Sequence, residues 1–200
     1  IYECFTKEYV DALAAHLRAG AGAGRTTVLE VGAGDGRLAA ALSAALDSPR
    51  RSRRGGGSPG GNAPKVHVVA ADDGSWGKGA GNVLRMDVRE ALRKFARTDG
   101  RTVVLCSWMP MGVDWSAHFR EFDVDEYILI GESDDGCCGH NWYTWGNEHF
   151  ASNQNEAEKG AAYKNDGYVR YDLKNLASRQ FSRHDGEDFK HSNTVSFRKK

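Results

Sequence analysis

Thr27-Val28-Leu29-Glu30-Val31-Gly32-Ala33-Gly34-Asp35-Gly36-Arg37-Leu38 is the stretch from which the fold is read. Its apolar start, glycine turn and Ala/Leu-rich end predict a strand over about Thr26–Val31 and a helix over about Arg37–Leu46. Glycine lacks a Cβ and tolerates positive φ, so such a turn is tight and lets the backbone come close to a ligand. The free N–H groups opening the helix then point back at that ligand. A strand, turn and helix in this order cradle a nucleotide. The rest of the chain decides which one.

Upstream, Phe5, Val10, Leu13, Ala14 and Leu17 recur at helical spacing between Tyr2 and Arg18, and Gly20 supplies a stop. Downstream, 48–64 is of low complexity: Pro49-Arg50-Arg51-Ser52-Arg53-Arg54 is followed by Gly-Gly-Gly-Ser-Pro-Gly-Gly. That composition cannot bury a core and predicts a disordered surface insertion. Strands are predicted at Val66–Ala71, Asn82–Met86, Thr102–Cys106 and Tyr127–Gly131, with a helix over Val88–Ala96. The interval from Asp72 to Asn82 is too short and too rich in glycine for more than one helical turn. In the tail, Leu176–Arg183 and Asn193–Arg198 flank the charged turn Asp185-Gly186-Glu187-Asp188 and predict an antiparallel hairpin on the sheet edge. The fold class expected is α/β: a three-layer, doubly wound, mostly parallel seven-stranded sheet with a C-terminal antiparallel hairpin, in one domain spanning 1–200.

Lys+Arg and Asp+Glu balance at 27 each, so no global field draws the chain to nucleic acid or to a membrane surface. The Arg50–Arg54 run is the local feature that offers nucleic acid a contact; without interleaved aromatics it is read as a solvated loop. No apolar run reaches the ~18 residues of a membrane span. The cysteines (Cys4, Cys106, Cys137, Cys138) form no disulfide framework, which favours a reducing, intracellular compartment. Because the chain starts at Ile1, it is expected to be a piece of a longer protein, with any upstream targeting segment or domain out of view.

Gly34-Asp35-Gly36-Arg37-Leu38-Ala39 fits a relaxed dinucleotide fingerprint, G-x-G-x-x-A, so an NAD-dependent oxidoreductase is one candidate. Three features argue against it: Glu30 stands where a dinucleotide fold carries an apolar side chain, the charge of Asp35 repels a pyrophosphate, and the chain ends in a hairpin. An acidic strand end suits a cationic ligand instead. Leu29-Glu30-Val31-Gly32-Ala33-Gly34-Asp35-Gly36 resembles motif I (E/D-x-G-x-G-x-G) of the class I S-adenosylmethionine-dependent methyltransferases, with every specified position matched. The resemblance covers most of 25–200 and extends in order: an acid after the second strand (Asp72, or its neighbour Asp73), an acid after the third (Asp87), and the terminal hairpin. It implies a Rossmann-like fold, S-adenosyl-L-methionine as cofactor and methyl transfer as activity. By the same resemblance Glu30, Gly32, Ala33, Gly34 and Gly36 contact the methionine part, Asp72 and Asp73 the ribose, Asp87 and Val88 the adenine. Ser107 and Trp108 complete the cofactor contacts.

The end of the fourth strand is where chemistry belongs in an open α/β sheet. There Cys106-Ser107-Trp108-Met109-Pro110-Met111-Gly112 is only distantly similar to the D/N/S-P-P-Y/F/W loop of amino-group methyltransferases, so no acceptor follows from it. Ser107 reads as a turn residue with weak claim to catalysis, and Trp108 as a pocket wall that also borders the substrate. The loop from Gly131 to Gly146 is acidic, aromatic and unusually long for a connector. Glu132 and Asp134 are candidate bases and His140 a proton relay; Trp142 and Trp145 are either walls of a substrate pocket or buried anchors. Adjacent Cys137 and Cys138 suit zinc poorly, so no metal is expected. Trp76 either stacks on adenine or fills the core. The acceptor is expected to be a small molecule or a protein side chain. The rival is a methyltransferase-like module that binds without catalysing.

Overall fold

The computed structural model describes residues 2–22, 24–48, 65–77, 81–96, 100–186 and 189–200. The basic, glycine-rich insertion expected at 48–64 lies outside them except for Ser48. Chain order is α1 (Lys7–Gly20), β1 (Thr26–Val31), α2 (Arg37–Asp47), β2 (Val66–Asp72), β3 (Val83–Arg85), α3 (Val88–Phe95), β4 (Arg101–Ser107), α4 (Ser116–Glu121), β5 (Glu126–Glu132), α5 (Gln154–Glu158), α6 (Ala162–Asn165), β6 (Tyr168–Asp172), α7 (Lys174–Ala177) and β7 (Ser192–Lys199). A single 3-10 turn at Glu148–Phe150 precedes α5.

The seven strands lie in the order β3-β2-β1-β4-β5-β7-β6. The first five are parallel, and β7 runs antiparallel to both neighbours. This is the α/β, Rossmann-like, mostly parallel seven-stranded sheet that the sequence predicts, with β7 antiparallel to its neighbours. Side chains alternate across the sheet as a strand requires. Val28, Val103, Leu105, Ile128 and Ile130 face α1, α2 and α7, while Leu29, Val104, Cys106, Tyr127 and Leu129 face α3 and α4. Burial on both faces explains why the parallel strands read as continuous apolar runs.

Local signals set the helix starts. The Thr6 hydroxyl accepts from Tyr9 N to cap α1, whose stripe Tyr9, Val10, Leu13, Ala14 and Leu17 is buried. Asp87 and Glu90 form a reciprocal capping box on α3. Between β2 and β3 the described residues hold turns at Ser75 and Trp76 and at Gly81 and Asn82, and no helix.

The tail corrects one expectation. Leu176–Arg183 is not a strand: Leu176 belongs to α7 and is buried in the cluster that contains α1. The partner of β7 is Tyr168–Asp172, where aromatic and β-branched residues follow Gly167. A 19-residue connection carrying α7 therefore separates the two antiparallel strands, in place of a tight turn.

Candidate functional site

The carboxyl ends of β1, β2 and β4 open into one cavity of about 860 Å³. It is bordered by the glycine turn, by Asp72, Asp73, Met86, Asp87 and Val88, and by Tyr2, Glu3, Ser107, Trp108, Met111 and Cys137. Of the cofactor residues expected from sequence, all but Gly36 border it.

Gly36 instead shapes the turn. It starts α2 at φ +71°, and a Cβ there would lie 2.5 Å from Val83 Cγ2 of the edge strand. Gly32, at φ +65°, passes so close to Trp115 that a Cβ would meet its ring at 2.9 Å. Both positions exclude larger residues on backbone and on space. Gly36 offers no capping side chain, and Glu30 takes over that task from the strand: its Oε2 accepts from Ala39 N of α2 at 2.9 Å. Burial pushes the Glu30 carboxyl up to about 8, the charges of Asp35 and Asp72 push the same way, and the Ala39 bond opposes them.

Asp72 locks the turn from the end of β2. Its Oδ2 accepts from Gly34 N at 2.9 Å and its Oδ1 from Gly74 N at 2.8 Å. Asp73 Oδ1 accepts from Ser75 N at 2.8 Å, and the bonds from Ser75 hold its carboxyl below the usual range. Asp87 accepts from Glu90 N at 2.8 Å as the cap of α3 while bordering the cavity. Trp76 is 67% exposed at the cavity edge, which rules out the core alternative. Tyr2 meets it edge-on at 6.3 Å.

The end of β4 carries an unusual backbone. Trp108 adopts φ +57°, a left-handed conformation that costs a bulky residue of order 1 kcal/mol or more. Its amide donates to Ile130 O at 2.8 Å, and its indole Nε1 donates to Glu3 Oε2 at 3.0 Å. Tyr2 stacks on its ring at 5.1 Å and His184 lies 5.5 Å away. An isolated bridge between Glu3 and Ser182 holds the N-terminal segment here, with Cys4 N donating to Phe181 O and Arg183 N to Tyr2 O. Tyr2, Glu3 and Phe5 thus border the cavity.

The loop after β5 departs from its expected role. Glu132 accepts from Cys137 N, Asp134 is held by both terminal nitrogens of Arg170, and His140 Nδ1 accepts from Trp142 N and Tyr143 N. None of the three borders the cavity. These carboxylates and the imidazole bond to the loop's own backbone and to a neighbouring guanidinium. Trp142 and Trp145 do not form a substrate wall: both are buried, and Trp145 Nε1 donates to Cys138 O at 2.6 Å. Among the described residues no group of three His, Cys, Asp or Glu side chains is placed to hold a metal ion, and no helix is long and apolar enough to cross a membrane.

Sequence reasoning missed Glu3 and His184 as cavity residues. Glu3 lies 105 positions from Trp108, and no local pattern announces their contact.

No family model matches the chain, and comparison with curated proteins gives no match. Among solved structures it is similar to the small RNA methyltransferase HEN1, at 15% identity over 97% of this chain and 25% of that one (TM-score 0.48). It is similar to the CurJ carbon methyltransferase at 9% identity over 96% and 54% (TM-score 0.49). It is also similar to magnesium protoporphyrin IX methyltransferase from Synechocystis PCC 6803, solved with bound SAH, at 12% identity over 97% and 83% (TM-score 0.45). The chain spans a quarter of the first of these and about half of the second. The fold assignment rests on the sheet order and strand directions given above.

Proposed function

We propose that the chain binds S-adenosyl-L-methionine in this cavity and catalyses methyl transfer to a small molecule or a protein side chain. One observation carries the choice of cofactor: Gly34 N, the turn amide that a pyrophosphate needs, already donates to Asp72 Oδ2. Asp35, Asp72, Asp73 and Asp87 then border the same space, so it presents negative charge where a dinucleotide brings its own. A ligand carrying an ammonium and a sulfonium is complementary to that field, and a doubly charged phosphate bridge is repelled by it.

The residues fit the group. Glu30 and the backbone of Gly32–Gly34 would hold the methionine part, Asp72 and Asp73 the ribose hydroxyls, and Asp87 with Val88 the adenine. When bound, S-adenosylmethionine supplies an activated methyl group on its sulfonium. The chain's own part would be to align the acceptor and to exclude water, with Tyr2 and Glu3 bordering the cavity near the end of β4.

Isothermal calorimetry with S-adenosylmethionine, S-adenosylhomocysteine and NAD tests the assignment. The first two are expected to bind and NAD not to. Asp72→Ala frees the Gly34 amide and removes the ribose acceptor, with an expected loss of about tenfold or more in affinity. Heat with NAD alone would reverse the assignment. Cofactor binding without turnover on protein and small-molecule pools would favour a binding module.

A further inference from the structure

The loops that follow β4 and β5 are bonded into one outer face at the cavity mouth. Gly112 N donates to Gly139 O at 2.8 Å, Gly139 N to Met109 O at 3.0 Å, and Thr144 Oγ1 to Asp114 Oδ1 at 2.9 Å. Beside these links stand Met111, Val113 and Tyr143, all exposed, Met111 at 75%. The His140 ring packs on Tyr143 at 4.4 Å and supports it. Met111 also borders the cavity, as does Cys137 in the second loop. Exposed apolar side chains scattered singly are ordinary, but three on two mutually bonded loops beside a cavity mark a contact surface. Tyrosine and methionine are residue types that protein interfaces favour.

The charge around this face selects its partner. The chain is neutral overall, yet residues 132–166 hold seven Asp or Glu against two Lys and no Arg. Asp134 and Asp166 are already paired, with Arg170 and Arg120. Asp135 and Glu148 are exposed and have no ion pair among the described residues. Asp135 lies just before the cavity residue Cys137, and Glu148 follows Asn147, whose N donates to Asn141 O of the same loop. Glu156 bonds the Tyr143 hydroxyl. The apolar residues are thus flanked by negative charge, which attracts a cationic segment and repels a polyphosphate backbone.

Resting on the methyl-transfer reading above, we propose that this face docks a basic polypeptide segment of a protein substrate. An apolar side chain of the segment lies on Met111, Val113 and Tyr143, and its lysines or arginines face Asp135 and Glu148. Because Met111 belongs both to the face and to the cavity border, a segment held there lies at the mouth of the site. Apolar contact supplies the affinity, and the acidic flanks supply the choice of sequence and the rate of encounter.

Fluorescence anisotropy on the full chain, with and without S-adenosylhomocysteine, tests this. The labelled probes are a peptide of lysine, arginine and glycine with a central leucine, the same peptide with glutamate for every basic residue, the same with serine for the leucine, and oligouridylate RNA. The basic peptide is expected to bind, and to weaken as salt is raised. Serine for leucine is expected to cost roughly tenfold in affinity. The glutamate peptide and the RNA are expected not to bind. Joint reversal by Asp135→Lys and Glu148→Lys is expected to weaken the basic peptide about tenfold or more, and Val113→Ser with Tyr143→Ser by about tenfold. None of these four residues borders the cavity, so S-adenosylhomocysteine affinity is expected to stay within about twofold, which also reports that the variants fold. Asp47→Lys, at the far end of α2 from the glycine turn, controls for net charge and is expected to leave peptide binding unchanged.

Equal binding of the basic and glutamate peptides, tighter binding of the RNA, or a loss in Asp47→Lys as large as in the Asp135 and Glu148 reversal would each overturn the docking face. Wild-type protein that binds the basic peptide but neither S-adenosylmethionine nor S-adenosylhomocysteine would overturn the methyl-transfer reading and leave the face standing.

Discussion

Glu30 joins two functions at one carboxylate. It closes the N-terminus of α2 through Ala39 N and borders the cavity where a cationic methionine group would lie. Burial and the charges of Asp35 and Asp72 hold its carboxyl up at about 8, with Arg37 also at the cavity edge. A cation bound beside it favours the ionised form and so lowers that value. Between the two values binding releases a proton, so S-adenosylmethionine affinity is expected to rise with pH up to about 8 and then level off. Glu30→Gln keeps an acceptor for Ala39 N and removes the titration. In calorimetry across this range the slope specific to Glu30 is expected to vanish in the variant; an identical slope would refute the assignment. Glu30 and the glycine turn were legible in sequence because strand, turn and helix are contiguous there. Glu3 was not, because its partners Trp108, Gln180 and Ser182 meet only when the N-terminal segment crosses the finished sheet.

At the scale of elements, the loop from β5 to α5 shows how a segment rich in acidic and aromatic residues can be structural. Asp134 takes a left-handed backbone, φ +64°, and is fixed by Arg170 of β6, whose guanidinium also lies 6.0 Å from the Trp145 ring centre. Loop, sheet edge and buried tryptophan are thereby tied together. Asp134→Ala is expected to lower stability by roughly 1 kcal/mol, the scale of a well-formed but half-exposed pair. S-adenosylmethionine affinity is expected to stay within twofold of the wild type, about 0.4 kcal/mol. Thermal unfolding alongside calorimetry checks both; a loss of affinity without a loss of stability would return Asp134 to the site. Composition marked this loop as unusual but could not separate a staple from a catalytic group, because the distinction depends on which partner each carboxylate finds. The same limit misplaced the hairpin's first strand: Leu176–Arg183 has strand-like residues, yet its Leu176 is claimed by the face that packs on α1.

Across the whole molecule, binding and stability are placed at opposite ends of the sheet. The cavity lies at the carboxyl ends of β1, β2 and β4, while Glu126, 1% exposed, opens β5 at the other end. His16 of α1, Arg101 of β4 and both Ser196 and Arg198 of β7 converge on its carboxylate. One buried charge therefore joins a helix to three strands. Burial alone would raise the Glu126 carboxyl, but the bonds from His16 and Ser196 and the charges of His16 and Arg101 prevail and hold it at about 2, against an ordinary value of 4.5. The unfolded chain consequently binds more protons than the folded one between those values. The stabilisation is complete above about 4.5 and is lost as pH falls toward about 2, an amount on the order of 3 kcal/mol. Glu126→Gln leaves half-buried Arg101 without its partner charge, so the loss at neutral pH is expected to be of about that size. Urea unfolding of wild type and variant at several pH values is expected to converge as the acid limit is approached and to diverge toward neutrality. The folded fraction of the variant should still bind S-adenosylmethionine with wild-type affinity, because no residue of the Glu126 cluster borders the cavity. A variant that folds but binds weakly would show instead that the two ends of the sheet are coupled.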